Sequence, residues 1–107
     1  MKLRVLFAVA VAIAALASPA SAQSPEALRK AQASFDQAQS DYLQAKYDEA
    51  AQGFQDAYAA RPFPQFLYNV GASFHMKGKK TSDVPSYTKA VEFYRRYLKE
   101  DDRKSVV

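Results

Sequence analysis

Residues 47–58 have the sequence YDEAAQGFQDAY, and residues 87–98 repeat its pattern as YTKAVEFYRRYL. In each stretch an aromatic residue is followed by apolar residues at steps of three, four and three: Tyr47, Ala50, Phe54 and Ala57 in the first, and Tyr87, Ala90, Tyr94 and Tyr97 in the second. Steps of three and four place side chains on one face of an α-helix. Because the same apolar stripe occurs twice, we predict a repeated helical unit.

The first 22 residues have the layout of a cleavable secretory signal peptide. Lys2 and Arg4 give a basic start, an apolar run extends to Leu16, and the small residues 20–22 form a cleavage site. The run is shorter than the roughly 20 residues that a membrane-spanning helix needs. We therefore expect cleavage after Ala22 and a mature helical domain over residues 23–107, exported to the periplasm or outside the cell. An uncleaved anchor is the alternative.

Composition limits the classes of function. The chain has no cysteine, which excludes disulfides and a lipid-modified cysteine. Without Lys2 and Arg4 the formal net charge falls from +4 to about +2, so binding to nucleic acid is not expected. The charge is divided, with −3 over residues 23–60 and +5 over residues 61–107. This division suggests either head-to-tail stacking of copies or two ordinary solvated faces.

Four helices in two antiparallel pairs are predicted, so the fold class is all-α. The first follows a Ser24 cap and ends near Lys46, the second covers about 48–60, the third about 64–77, and the fourth ends near Glu100. Gly78 is expected to stop the third helix, and residues 79–86 to form a long basic loop. The expected core stripes are Leu28, Ala31, Phe35, Ala38, Tyr42 and Ala45 in the first helix, Phe66, Leu67, Val70, Gly71 and Phe74 in the third, and Tyr87, Ala90, Val91, Tyr94, Tyr97 and Leu98 in the fourth.

Gly53 falls in the middle of the second predicted helix, where glycine costs about 1 kcal/mol relative to alanine. Either it lets a neighbouring helix approach closely, or tertiary packing simply tolerates it.

The pattern resembles the tetratricopeptide repeat family. The residues that carry the resemblance are Tyr47, Asp48, Glu49, Ala50, Phe54, Ala57 and Pro62, then Leu67, Tyr68, Asn69, Gly71, Phe74 and Gly78, then Tyr87, Ala90 and Tyr94. The resemblance implies two TPR-like repeats, about 28–62 and 63–100. The chain departs from the family in its first helix, in the length of loop 79–86 and in lacking a polar capping helix. It therefore dimerises, packs its end on a partner, or is the N-terminal piece of a longer protein.

The resemblance also implies a concave groove that holds an extended peptide. Its residues would be Gln65, Tyr68, Asn69, Ala72, His75 and Met76 on the third helix, with Gln32, Phe35, Gln39 and Tyr42 on the first. Asn69 can donate to and accept from a peptide backbone at once. The alternative for Asn69 is a structural residue bonded to the neighbouring helix. A subset of the family uses an asparagine at the position of Asn69, with lysine and arginine from neighbouring repeats, as a carboxylate clamp. Such a clamp is not expected here, because Phe35 and Gln39 occupy two of its positions.

An enzyme is not predicted, and neither a cofactor nor a metal site is expected. His75 is the only histidine, and Ser73 lies two positions away, where it points in a different direction on a helix. A second candidate surface is an anionic contact, to membrane head groups, envelope polysaccharide or an acidic partner, by Lys77, Lys79, Lys80, Arg95 and Arg96. The alternative for these residues is charge complementarity at helix ends. The sequence thus favours an exported scaffold that binds a protein or peptide, with homo-oligomerisation as the runner-up.

Overall fold

A computed structural model describes residues 23–101, which form four α-helices. They are α1 (Pro25–Leu43), α2 (Tyr47–Ala60), α3 (Pro64–Thr81) and α4 (Val84–Glu100). No strand occurs among these residues, so the predicted all-α fold class is confirmed. The predicted signal peptide lies outside the described residues. Within the described part, none of the helices has the length and apolarity needed to cross a membrane.

The helices form two antiparallel hairpins. In the α1–α2 hairpin, the rings of Phe35 and Phe54 and those of Tyr42 and Tyr47 are 5.6 and 5.4 Å apart, so that later positions on α1 meet earlier positions on α2. The α3–α4 hairpin repeats this arrangement, with Tyr68 opposite Tyr94 and His75 opposite Tyr87 at 5.3 and 5.9 Å. Because α3 also packs against α2, helix α2 lies between α1 and α3.

Two helix starts agree with the local sequence signals. The Ser24 hydroxyl accepts a hydrogen bond of 3.0 Å from the Ala27 amide, and Pro25 opens α1. This places a side-chain acceptor on an amide that has no partner inside the helix. At the other hairpin Asp83 precedes α4, and Pro85 lies in its first turn.

Helix α1 is shorter and less buried at its ends than the stripe predicts. It ends at Leu43 rather than near Lys46, because Ala45 adopts a left-handed conformation with φ of 61° and turns the chain into α2. Leu28 is exposed, which corrects its assignment to the core. The reason is length, since α1 has 19 residues against 14 in α2, and its first turn runs past the end of its partner.

The prediction of a long basic loop over residues 79–86 was wrong. Helix α3 continues through Gly78 to Thr81, and Ser82, with φ of 53°, makes the turn instead. Gly78 does not end the helix, and it is buried inside it. A Cβ atom on Gly78 would meet the ring of Tyr87 at 3.0 Å, so the missing side chain makes room for α4. Lys79 and Lys80 therefore lie in the last turn of α3, where positive charge suits the helix end.

The second hairpin is the longer one beyond its paired rings. Tyr68 lies 33 positions after Phe35, whereas its partner Tyr94 lies 40 positions after Phe54. The difference of seven residues is close to two helical turns. Helix α3 runs five residues further past Tyr68 than α1 runs past Phe35, and α4 begins three residues further before Tyr94 than α2 does before Phe54, while the connection is one residue shorter. The added length is therefore about one turn on each helix at the closed end of the hairpin.

Small residues set the distance between the paired helices. Ala31, Ala38, Ala50 and Ala57 are almost wholly inaccessible to solvent. A Cβ atom on Gly53 would lie 2.8 Å from the Cβ atom of Ala38, closer than real side chains approach. Of the two interpretations of Gly53, close approach of a neighbouring helix is the one the structure shows. Larger side chains fill the space between the hairpins: Phe54, Leu67, Val70 and Phe93.

Helix α4 buries only part of the stripe predicted for it. Ala90 is buried as predicted, and Ser86 and Phe93 are buried although they were not in that stripe, whereas the predicted core residues Tyr87, Val91 and Leu98 are exposed. The prediction was wrong for these three because α4 carries two adjacent apolar stripes and, within residues 23–101, has a neighbouring hairpin on one side only.

We expect Gly53→Ala to destabilise the protein by about 1–3 kcal/mol, because the new methyl group overpacks the contact with Ala38. Helix propensity alone would predict a gain of about 1 kcal/mol, so the sign of the effect separates the two causes. Urea unfolding followed by circular dichroism measures it.

Ala38→Gly is the matched second substitution, since it removes the atom that clashes. The double variant should lose less stability than the two single losses added together, and strict additivity would contradict the close contact.

Candidate binding groove between α1 and α3

A groove runs between α1 and α3, with Phe54 of α2 at its base. One cavity has a volume of about 360 Å³ and is lined by Phe35, Gln39, Tyr42, Leu43, Phe54, Tyr68, Asn69 and Ala72. A second cavity of about 420 Å³ shares Phe35 and Asn69 with the first and is completed by Phe63, Gln65 and Phe66. Because they share two lining residues, the two cavities lie next to each other. Clefts of this size, lined by aromatic groups and a few polar ones, are typical of binding sites.

Most of the residues predicted for the groove come together in it. Phe35, Gln39 and Tyr42 contribute from α1, and Gln65, Tyr68, Asn69 and Ala72 contribute from α3. His75 and Met76 do not line either cavity. The His75 ring lies between Tyr87 and Tyr94 instead, with Nδ1 3.4 Å from the Tyr94 hydroxyl. Gln32 donates to Asp36 on the exposed side of α1.

Side-chain amides divide into two groups by their position. On the outer surfaces Gln32, Gln37 and Gln52 each donate to an aspartate four residues later, while Gln44 donates to Ser40 and Gln55 to a backbone carbonyl. Within residues 23–101 the groove amides of Gln39, Gln65 and Asn69 make no such bond. The alternative role of Asn69, a structural bond to the neighbouring helix, is therefore not what the structure shows. The side-chain contact that Asn69 makes is through its backbone carbonyl, which accepts a hydrogen bond of 2.9 Å from the Ser73 hydroxyl.

Tyr68 stands at the edge of the groove with 48% of its surface exposed. Its ring packs against Tyr94 and Tyr97 at 5.3 and 5.4 Å, which fixes its orientation without burying it. Tyr42 faces it across the cavity. Burial raises the pKa of Tyr42 above its usual value of 10.0, and the neighbouring Tyr47 and Tyr68 add to the effect. Its hydroxyl therefore remains a neutral donor and acceptor throughout the physiological pH range.

The groove carries no formal charge at neutral pH, because its lining consists of aromatic, aliphatic and amide side chains. The five basic residues proposed for an anionic contact lie elsewhere and do not form one cluster. Lys77 bonds Asp48 at 2.8 Å, which raises the lysine pKa, and Lys80 donates to the Ala45 carbonyl. Lys79 is exposed in the same turn.

Arg95 and Arg96 lie at the opposite end of the α3–α4 hairpin from these lysines, because the two helices run antiparallel. The Arg96 guanidinium is 5.2 Å from the ring centre of Phe93 and 5.6 Å from that of Tyr58. Tyr58 in turn donates to Glu100. Arg96 is thus part of the contact between α2 and α4, and only Arg95 is exposed.

Sequence reasoning missed four residues that line the groove: Leu43, Phe54, Phe63 and Phe66. Phe54 and Phe66 were assigned to the core. Phe54 is buried there and also reaches the cavity, whereas Phe66 is half-buried with its ring against that of Phe35. Phe63 precedes α3, and its ring lies 5.7 Å from that of Phe66. The spacing of three residues between Phe63 and Phe66 was the available signal for this contact.

Comparison with protein-family models, with curated proteins and with solved structures finds no significant match to the chain.

Stability should fall as the pH rises above about 10. Burial raises the pKa of Tyr42, Tyr58 and Tyr94 above 10.0, and for Tyr58 the hydrogen bond to Glu100 adds to the effect. The folded state therefore keeps protons that the unfolded chain has lost, so stability is complete below pH 10 and decreases as the pH passes through the raised values. Urea unfolding at about pH 9 and about pH 11 measures the decrease. The variant Tyr42→Phe/Tyr94→Phe should show a smaller decrease, and an equal one would contradict this origin.

Proposed function

We propose that the protein is a non-enzymatic scaffold that binds an extended, uncharged segment of a protein partner in the groove between α1 and α3. The observation that carries the proposal is the set of three unpaired amides, Gln39, Gln65 and Asn69, placed among aromatic side chains. A side-chain amide can donate to a peptide carbonyl and accept from a peptide N–H. Three of them along one groove match the repeating donors and acceptors of an extended backbone.

The aromatic lining supports binding of apolar side chains from the same segment. Phe35 and Phe63 line the cavities beside the amides, with the Arg61 guanidinium over one face of Phe63 at 4.7 Å from the ring centre, and Tyr68 offers both a ring and a hydroxyl. A groove without charge does not favour a carboxylate terminus or a phosphate. We therefore expect the affinity for a peptide to change little between low and high salt.

The resemblance to tetratricopeptide repeats supports the same proposal, since helices equivalent to α1 and α3 line the peptide groove in that family. Export to the periplasm or outside the cell is part of the proposal and rests on the basic start, the apolar run and the cleavage site of residues 1–22.

A scaffold rather than an enzyme is favoured by the chemistry of the described residues. Ser73 is buried and bonded to a backbone carbonyl, while His75 is exposed, so the two do not form a nucleophile and base. No group of three or more acidic or histidine side chains in residues 23–101 is arranged to hold a metal ion.

The proposal is tested with peptides selected from a random display library on the purified protein, and then measured by isothermal titration. Asn69→Ala and Gln39→Ala should each weaken binding by about 3- to 10-fold, the usual value of one lost hydrogen bond. Gln37→Ala is the matched control, because Gln37 lies two positions from Gln39 but faces outward and bonds Asp41. Its affinity should stay within about twofold of the wild type.

Tyr68→Ala should weaken binding further, because it removes a partly exposed ring as well as a hydroxyl. Circular dichroism should show each variant folded. If the Asn69, Gln39 and Tyr68 variants bind the selected peptides as well as the wild type does, the groove is not the binding site.

A further inference from the structure

The two hairpins make equivalent contacts between their own helices. Among the described helices, only the first hairpin has another helix, α3, packed on the side that faces along the chain. Helix α3 packs on the α1–α2 hairpin, where Phe66 contacts Phe35 at 5.7 Å. Ala51 and Phe54 of α2 join the same buried cluster as residues of α3. The first hairpin thus shows what this kind of surface accommodates, namely one amphipathic helix laid against both of its members.

Among the helices of residues 23–101, none lies on the matching surface of the second hairpin. Val91, the counterpart of Ala51, is 47% exposed, whereas Ala51 is 1% exposed. Tyr94 stands in the place of Phe54, and Tyr68 in that of Phe35. We call this surface the end face, and it consists of Tyr68, His75, Tyr87, Val91, Tyr94 and Leu98. The α4 members follow one another at steps of four, three and four, which is one continuous stripe.

A head-to-tail copy of the chain does not fit the end face. Such a copy would present α1 in the role that α3 has within the molecule. Helix α3 uses Phe66, Leu67 and Val70 for this contact, but the residues 33 positions earlier in α1 are Ala33, Ser34 and Gln37. These residues are small or polar, and Gln37 is already bonded to Asp41.

Charge also argues against a two-fold dimer through the end face. Helical spacing places Lys79 beside the α3 part of the face, and Arg95 and Lys99 beside the α4 stripe. All three are exposed, and Glu92 is the one acid on the same flank of α4. A two-fold dimer would bring these basic groups together with their own copies, whereas a partner with acidic flanks would neutralise them.

We propose that the end face binds an amphipathic helix of another protein, one with large apolar residues at steps of three and four and with acidic residues on its flanks. The surface lies beside the groove and differs from it in two respects. It accommodates a helix instead of an extended chain, and its border is basic, so binding depends on salt.

The test uses two synthetic probes with the sequence of residues 64–81, the segment that covers the first hairpin. One keeps the native sequence, with its basic end, and the other carries glutamate in place of Lys77, Lys79 and Lys80. Fluorescence anisotropy on the purified protein should show the acidic probe binding about tenfold more tightly than the native probe at low salt, with the difference shrinking at high salt.

Val91→Glu should weaken binding of the acidic probe by about tenfold or more, because it places a like charge in the centre of the stripe. Leu28→Glu is the matched control, since Leu28 is also 47% exposed and lies in the first turn of α1, outside both the end face and the groove; its affinity should be close to that of the wild type. Asn69→Ala should also bind the acidic probe normally, which separates this proposal from the groove.

Equal affinity of Val91→Glu and wild type for the acidic probe would overturn the proposal, as would failure of both probes to bind. Sedimentation equilibrium covers the remaining possibility. A dimer that forms in the wild type and is lost in Val91→Glu would show that a second copy occupies the end face, and would equally overturn it.

Discussion

The contact between Gly53 and Ala38 determines how closely α1 and α2 approach each other, and the rest of the structure depends on that distance. With only the Ala38 methyl group between them, the two helices bring their backbones together at the centre of the hairpin. In the second hairpin Gly71 makes room for a ring instead, since a Cβ atom there would meet the Tyr94 ring at 2.8 Å. The larger aromatic residues are consequently displaced to the sides of each pair. There they either fill the space between the hairpins or remain accessible along its edge, and the groove follows from this arrangement.

The two candidate surfaces differ in the groups they offer and therefore in what each can select. The groove offers amides and rings without charge, so its selectivity would come from hydrogen-bond geometry and shape. The end face offers an apolar stripe with a basic border, so electrostatics would contribute to its selectivity and to its rate of association. Tyr68 is the residue common to both. A ligand in one surface could therefore alter the other through the orientation of this single ring.

Helix number and helix type could be predicted from the sequence because they depend on local spacing. The groove was predicted from the resemblance to tetratricopeptide repeats, and periodicity added only that Tyr68 and Asn69 lie on one side of their helix. The turns were harder. Gly78 looked like a helix stop, but whether a glycine ends a helix or makes room for a neighbouring ring depends on a residue distant in sequence, here Tyr87. The burial of α4 was not predictable either, because both of its stripes are apolar and only the tertiary arrangement decides which one is covered.

Beyond its paired rings the second hairpin is seven residues longer than the first, about one turn on each helix, and this length indicates which changes the architecture can accept. A hairpin of this kind can grow or shrink in whole turns, since each helix then presents the same faces to its neighbours. Insertion of two residues into one helix would rotate everything beyond it by about 200° and carry the buried stripe into solvent. Length variation among proteins built on this plan should therefore be quantised, with hairpins that differ by about seven residues and few intermediate sizes.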